Sequence, residues 1–301
     1  MKVSPAIMCG LSAFVIATVG APRDASAIVR PMATGAKLHG FVYVTSRGAV
    51  NVYDQAGQKQ KPIATLTSGI DNPRGLFVAR NGDLLVANAG NGTVSIFHRG
   101  TTTPYRTLTN VGTGAQDVTE DAGGYIYATE TKGNDIAVFA PGSTTPTAML
   151  KDPNGPQSLV TDSKGDLFVQ TRGRKPPKYV SYVDEFVAGS PNPETLPHSS
   201  KESPGGIAID ANDNLLVCEA GGQDGYGGNG ELYAPPYTGK PTFVFYIFDG
   251  ITQCALDSAD LVWVSANGNS AAAILVNHAN KIRDVIPLGF QELSGIAVDA
   301  F

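Results

Sequence analysis

Charge is scarce in this chain: only 16% of its 301 residues are charged. Twenty-two basic residues face 27 acidic ones, a net charge of −5. Without a basic surplus the surface has no general attraction for phosphate backbones or anionic lipid, so nucleic acid is not an expected partner. Histidine is rare too, with His39, His98, His198 and His278. His98 and His278 follow third strands of the repeat described below and do not converge with His198, which speaks against zinc ligation or a catalytic triad. No G-x-S-x-G, H-E-x-x-H or C-x-x-C is present. The glycine-rich run EAGGQDGYGGNG (219–230) lacks the strand-to-helix setting of a dinucleotide site and reads as a turn. Beyond the N-terminus there is no long apolar run, so no membrane span is expected in the mature chain.

The one long apolar run is AIMCGLSAFVIATVG, from Ala6 to Gly20. It is shorter than the ~20 residues of a spanning helix. Lys2 precedes it, and Ala25 and Ala27 follow in an A-x-A pattern. This predicts a signal peptide over 1–27 cut near Ala27, then a linker over 28–37 and one domain over 38–301. The protein is expected to be exported, to a periplasm or the cell exterior. Met8 before Cys9 disfavours a lipoprotein. Cleavage removes Cys9 and leaves Cys218 and Cys254, an even pair that an oxidising compartment can bridge. The alternative is two small buried hydrophobes.

What is abundant is glycine, 35 residues, with 20 prolines and 42% hydrophobic residues. That is a turn-rich composition with enough apolar content for a core. A phrase recurs. NPRGLFVARNGDLLVAN (72–88) returns as GAQDVTEDAGGYIYATE (114–130) and GPQSLVTDSKGDLFVQT (155–171). It returns again as SPGGIAIDANDNLLVCE (203–219) and GITQCALDSADLVWVS (250–265). Each copy reads as an apolar strand, a polar turn and a second apolar strand. Third strands follow as TVSIF, DIAVF, YVDEF, GELY and AAILV. Four of the fourth strands open with proline, at Pro104, Pro146, Pro193 and Pro241. Proline lacks an N–H and belongs at a strand start or on an edge. The unit is therefore four antiparallel strands in roughly 42 residues, the size of a propeller blade.

Five such units run from Pro73 to Pro287. The C-terminal QELSGIAVDAF supplies a lone first strand, and GFVYVTS, AVNVYD and KPIATLT near the N-terminus supply a second, third and fourth. The expected fold is all-β: a six-bladed β-propeller of four-stranded antiparallel blades, the last blade closed by both chain ends together. The only tryptophan, Trp263, shares a strand position with Tyr43, Val86, Tyr127, Val169 and Val217 and is read as core.

The copy SPGGIAIDANDNLLV (203–217) resembles the NHL repeat. The pattern is also similar to the six-bladed superfamily of the senescence-marker/gluconolactonase family, the paraoxonases and the strictosidine-synthase-like enzymes. The matching residues serve turns and packing, so the resemblance implies the fold far more than a function. For the lactonase families it implies a divalent ion in the central channel, calcium in the first instance. The candidate ligands here are Glu219, Asp117, Glu130 and Asn88, a set poor in carboxylates for an ion that takes six to eight oxygens.

Two functional readings follow. In the first, the protein is a non-catalytic monomeric scaffold that binds a protein or a small polar ligand. Channel-mouth residues Arg74, Gln116 and Gln157 would contribute, together with two long second-to-third-strand loops on the same face, 172–182 and 219–230. The first loop brings Arg172, Arg174, Lys175, Tyr179 and Tyr182, and the second Asp224 and Tyr226. Insertions into a repeat often mark its binding face. In the second, the protein is a calcium-dependent lactonase-type hydrolase.

Overall fold

A computed structural model describes residues 40–55, 61–130, 132–175, 178–200, 202–221, 227–247, 250–266, 271–277, 281–289 and 293–299. They form strands in six four-stranded sheets. Sheet I holds β4 (Pro73–Val78), β5 (Leu84–Asn88), β6 (Thr93–Phe97) and β7 (Arg106–Leu108). Sheet II holds β8 (Ala115–Glu120), β9 (Ile126–Glu130), β10 (Asp135–Phe139) and β11 (Ala148–Lys151). Sheet III holds β12 (Pro156–Thr161), β13 (Leu167–Lys175), β14 (Lys178–Phe186) and β15 (Glu194–Ser200). Sheet IV holds β16 (Pro204–Ile209), β17 (Leu215–Glu219), β18 (Gly228–Tyr233) and β19 (Phe243–Ile247). Sheet V holds β20 (Ile251–Leu256), β21 (Val262–Ala266), β22 (Ala271–Asn277) and β23 (Lys281–Gly289). Sheet VI joins the chain ends: β24 (Ile296–Val298) pairs with β1 (Phe41–Ser46), followed by β2 (Ala49–Asp54) and β3 (Ala64–Leu66).

Within each sheet neighbouring strands are antiparallel, and in sheets I to V they follow chain order. Val42, Tyr43 and Val44 of β1 face Val298, Ala297 and Ile296 of β24, which fixes the register of the junction. The first strands pack around the axis in the order β4, β8, β12, β16, β20, β24 and back to β4. The chain is an all-β propeller of four-stranded antiparallel blades.

The recurring phrase explains the local structure. Asp121, Asp162, Asp210 and Asp257 close the turns between first and second strands. Each Oδ1 accepts from two backbone N–H groups: Gly123 and Tyr125, Lys164 and Asp166, Asn212 and Asn214, Ala259 and Leu261. This is the Asx-turn use of aspartate, so the motif carboxylates are spent on the fold. Pro104, Pro146, Pro193 and Pro241 sit one or two residues before the outermost strands, where a missing N–H breaks no ladder. Second strands are buried on both faces; β5, β17 and β21 are buried throughout. Apolar layers fill the gaps between sheets, one of them centred on Trp263, Val42 and Ile296. The Trp263 indole N–H donates to Asp257 Oδ2 at 3.1 Å, which satisfies its one buried donor.

Residues 172–175 and 178–182, expected in a loop, lie in strands. The insertion extends two strands into a hairpin, with Arg172 opposite Ser181, Arg174 opposite Tyr179 and Lys175 opposite Lys178. A continued ladder pairs backbone groups that an irregular loop of that length would leave to solvent. Cys218 in β17 and Cys254 in β20 are bonded as a disulfide between sheets IV and V, with Cα atoms 6.6 Å apart.

Candidate functional site

Five first strands slip register near their start, between Pro73 and Leu76, Ala115 and Val118, Pro156 and Ser158, Pro204 and Ile207, and Ile251 and Gln253. A bulge re-aims the side chains that follow it. As a result the channel is closed by the residue after the one expected. Arg74, Gln116 and Gln157 stay half-buried at the mouth, one position upstream. The constriction is made at Gly75, Asp117, Ser158, Gly206, Gln253 and Gly295.

Asp117 and Gln253 come from sheets II and V, on opposite sides of the ring. The Gln253 amide donates to Asp117 Oδ1 at 3.0 Å, across the axis. Gln253 Oε1 accepts from the N–H groups of Leu76 and Ile296 at 3.4 and 2.8 Å. Asp117 also accepts from Ser158 Oγ at 2.5 Å, Leu159 N at 3.2 Å and Val118 N at 3.0 Å. Side chains are excluded from the remaining positions. A Cβ on Gly75 would overlap Asp117 Oδ1, and one on Gly295 would overlap the Arg74 carbonyl oxygen. Gly206 has φ +105° and leaves only 2.8 Å between an added Cβ and Cys254 N. The carboxyl of Asp117 faces four donors and no cation, and its burial pushes its pKa up to about 7. On the far side of this plug lies a cavity of about 240 Å³ lined by first-strand residues, including Leu76, Leu159, Ile207 and Ile296.

The ends of the second strands, Thr45, Asn88, Thr129, Thr171, Glu219 and Ser265, are all buried. Several of them tie strand ends together. Thr45 Oγ1 accepts from Ser294 N and Gly295 N, and Thr129 Oγ1 from Asp117 N. The Asn88 amide donates to Gly69 O, Thr93 Oγ1 and Ser95 Oγ, and its Oδ1 accepts from Asp71 N. Glu130 accepts from Thr113 Oγ1, Lys132 N and Gly133 N. The structure thus gives Asp117, Asn88, Glu130 and Glu219 separate bonding networks. Among the described residues no group of three His, Cys, Asp or Glu side chains gathers to hold a metal ion.

The second insertion is described at its two ends; Asp224 and Tyr226 lie outside the described residues, as do the side chains of Arg174, Lys175 and Tyr179. Arg172 is exposed and Tyr182 half-buried. The two-residue period of a strand places positions 172 and 174 on one face of the hairpin and 175 on the other. His39 and His278 also lie outside the described residues. His98 follows β6, 3.0 Å from Asp83 Oδ1 and stacked on Tyr105.

A polar cleft that sequence reasoning missed opens between sheets III and IV. Its volume is about 370 Å³, and Pro197, His198, Glu219, Glu231, Tyr233 and Tyr237 are among its walls. Glu231 and Tyr233 alternate along β18, so both side chains face one side. His198 comes from the outermost strand of the neighbouring sheet. Its Nδ1 lies 2.9 Å from the Tyr233 hydroxyl, and its Nε2 3.5 Å from Glu219 Oε1. Burial raises the pKa of Glu219; His198 and Ser181 pull it back, and Glu202 pushes it further up. No sequence spacing joins residue 198 to 219 and 231. The i, i+2 pair on β18 was the only trace.

Comparison with known proteins agrees with the architecture. No family model and no curated protein matches the chain. Solved structures do. One chain in a crystal structure of a nidogen/laminin complex superposes with a TM-score of 0.70 at 16% identity, covering 86% of this chain and 98% of that one. A streptogramin B lyase structure gives 0.55 at 15% identity, covering 81% and 78%. At such identities the likeness shows the propeller fold alone. It assigns neither ligand nor reaction, because function lives in sites grafted on the fold.

Proposed function

We propose that the chain is an exported, six-bladed propeller acting as a non-catalytic binding scaffold, with the hairpin of sheet III and the neighbouring 219–230 segment as its binding face. One observation carries this reading. β13 and β14 have nine residues each, whereas the corresponding strands of sheets I and II have five. At about 3.3 Å per residue the hairpin extends roughly 13 Å further than its counterparts. No packing need of a blade calls for that extension, and it carries four basic residues. Six sheets and a closed cycle of first strands support counting six blades. The nidogen/laminin likeness agrees with a protein-binding role, and the lyase likeness leaves room for small ligands. The calcium-lactonase reading has less support, because its candidate ligands are occupied in separate networks.

The test is a screen of residues 28–301 against small polar ligands and a peptide array, run beside a variant with 174–179 replaced by Asn-Gly. A ligand bound by the full hairpin and weakened about ten-fold by the short one supports the reading. Ligands that bind both forms equally, or calcium-dependent lactone hydrolysis, would overturn it. N-terminal sequencing of the secreted protein tests export; the expected first residue is Ile28.

A further inference from the structure

The cleft between sheets III and IV has a mismatch of hydrogen-bond donors. Tyr233 has one hydroxyl proton, and it goes to Glu231 Oε2. With the ring neutral and Glu219 ionised, the ring proton sits on Nδ1 and is donated to the phenol oxygen. His198 Nε2 is left as an acceptor. It faces Glu219 Oε1, another acceptor, 3.5 Å away. Both side chains are more than nine-tenths buried, at 9% and 2% exposure. Neither Nε2 nor Glu219 Oε2 makes a hydrogen bond of normal geometry, although the Ser181 hydroxyl lies near the carboxylate. Buried acceptors without donors are costly, and a carboxylate more so. The one lysine of the lining, Lys240, is exposed and pairs with neither Glu219 nor Glu231.

We propose that this cleft is a binding site for a protonated alkylamine. The ammonium group donates to Glu219 Oε2 and His198 Nε2, supplying the protons both lack. Glu231, 4.0 Å from His198 Nδ1, adds a second negative charge. The alkyl stem lies along Pro197, Tyr237 and Pro241, apolar walls of the same cleft. A quaternary ammonium has no N–H and leaves both acceptors unpaired, so it binds poorly. The ammonium comes from a free amine or from a lysine side chain of a peptide. No residue of 172–182 lines this cleft, though Glu219 opens the 219–230 segment, and the site does not rest on the role proposed for the hairpin.

Calorimetry on residues 28–301 at neutral pH decides the matter, with butylamine and 1,4-diaminobutane as free amines and Nα-acetyl-lysine N-methylamide as the peptide-like probe. Tetramethylammonium and acetate are the controls. The expected result is saturable binding of at least one primary amine, weakened about ten-fold or more in Glu219→Gln or in Glu231→Gln. Preference between the two kinds of probe identifies the source. Glu231 is 27% exposed, so Glu231→Gln remains a test if Glu219→Gln fails to fold. Absence of saturable amine binding at millimolar concentrations overturns the proposal, as does equal binding of the controls or unchanged affinity in both variants. The variant with the shortened hairpin is expected to keep amine binding, which separates a failure here from a failure of the binding-face reading.

Discussion

Gln253 and Asp117, 136 residues apart in sequence, meet side chain to side chain at 3.0 Å across the propeller axis. Through them five of the six first strands are joined: β20 and β8 directly, β4 and β24 through Leu76 N and Ile296 N, and β12 through Ser158 and Leu159. Gln253→Ala leaves two backbone donors and one carboxylate oxygen without this partner. At ~1–3 kcal/mol per buried unsatisfied group, partly relieved by water, the expected loss is about 3 kcal/mol. Urea unfolding measures it, and a loss under half that figure would mean the plug is not a stabilising hub.

Stability should fall as pH rises through the weakly acidic range. Burial raises the carboxyls of Asp117 and Asp152 to about 7, and Asp184 adds to the effect at Asp152. Below an ordinary carboxyl pKa of 3.8 both states are protonated and neither group affects stability. Between that value and about 7 the unfolded chain has lost the proton and the folded chain keeps it. The folded state then binds more protons, so stability decreases with pH until the folded groups ionise. The cost is at most about 4 kcal/mol for Asp117. Melting temperature should be higher at pH ~5 than at pH ~8, and Asp117→Asn should flatten the slope. An unchanged slope would remove Asp117 as its source.

The disulfide closes a loop of 36 residues between sheets IV and V. Chain-entropy reasoning gives such a loop about 4 kcal/mol of stabilisation. Residues 28–301, denatured, should show no titratable thiol, and reductant or Cys254→Ala should lower the melting temperature. Two free thiols would disprove the bridge.

Arg99, after β6, forms an ion pair with the fully buried Asp299 after β24, and its guanidinium lies 4.5 Å from the Phe41 ring centroid. The contact fastens β1 and the residue after β24 to sheet I. Removing one partner of a buried pair strands the other charge, so Arg99→Ala should cost about 3 kcal/mol or more. Equilibrium denaturation compares it with Arg99→Lys, which keeps the charge but not the planar stacking group. Equal stability of wild type and Arg99→Ala would show that the seam is held by the β1–β24 ladder alone.

The sequence by itself determined the strand pattern. Apolar runs separated by Asp and Gly turns recur because each blade needs the same turn chemistry and the same buried faces. The outer prolines follow from edge hydrogen bonding. These are local rules and are legible in a single chain. The tertiary structure decided which side chains meet. A one-residue bulge moved the axial position from Gln116 to Asp117 and from Gln157 to Ser158, and periodicity carries no sign of a bulge. It paired residues 172–175 with 178–181, where a loop was expected, since the ladder rewards pairing wherever two strands can continue. It also brought His198 beside Glu219 and Glu231. Contacts between blades depend on how whole sheets pack, and that is a property of the closed ring rather than of any one repeat.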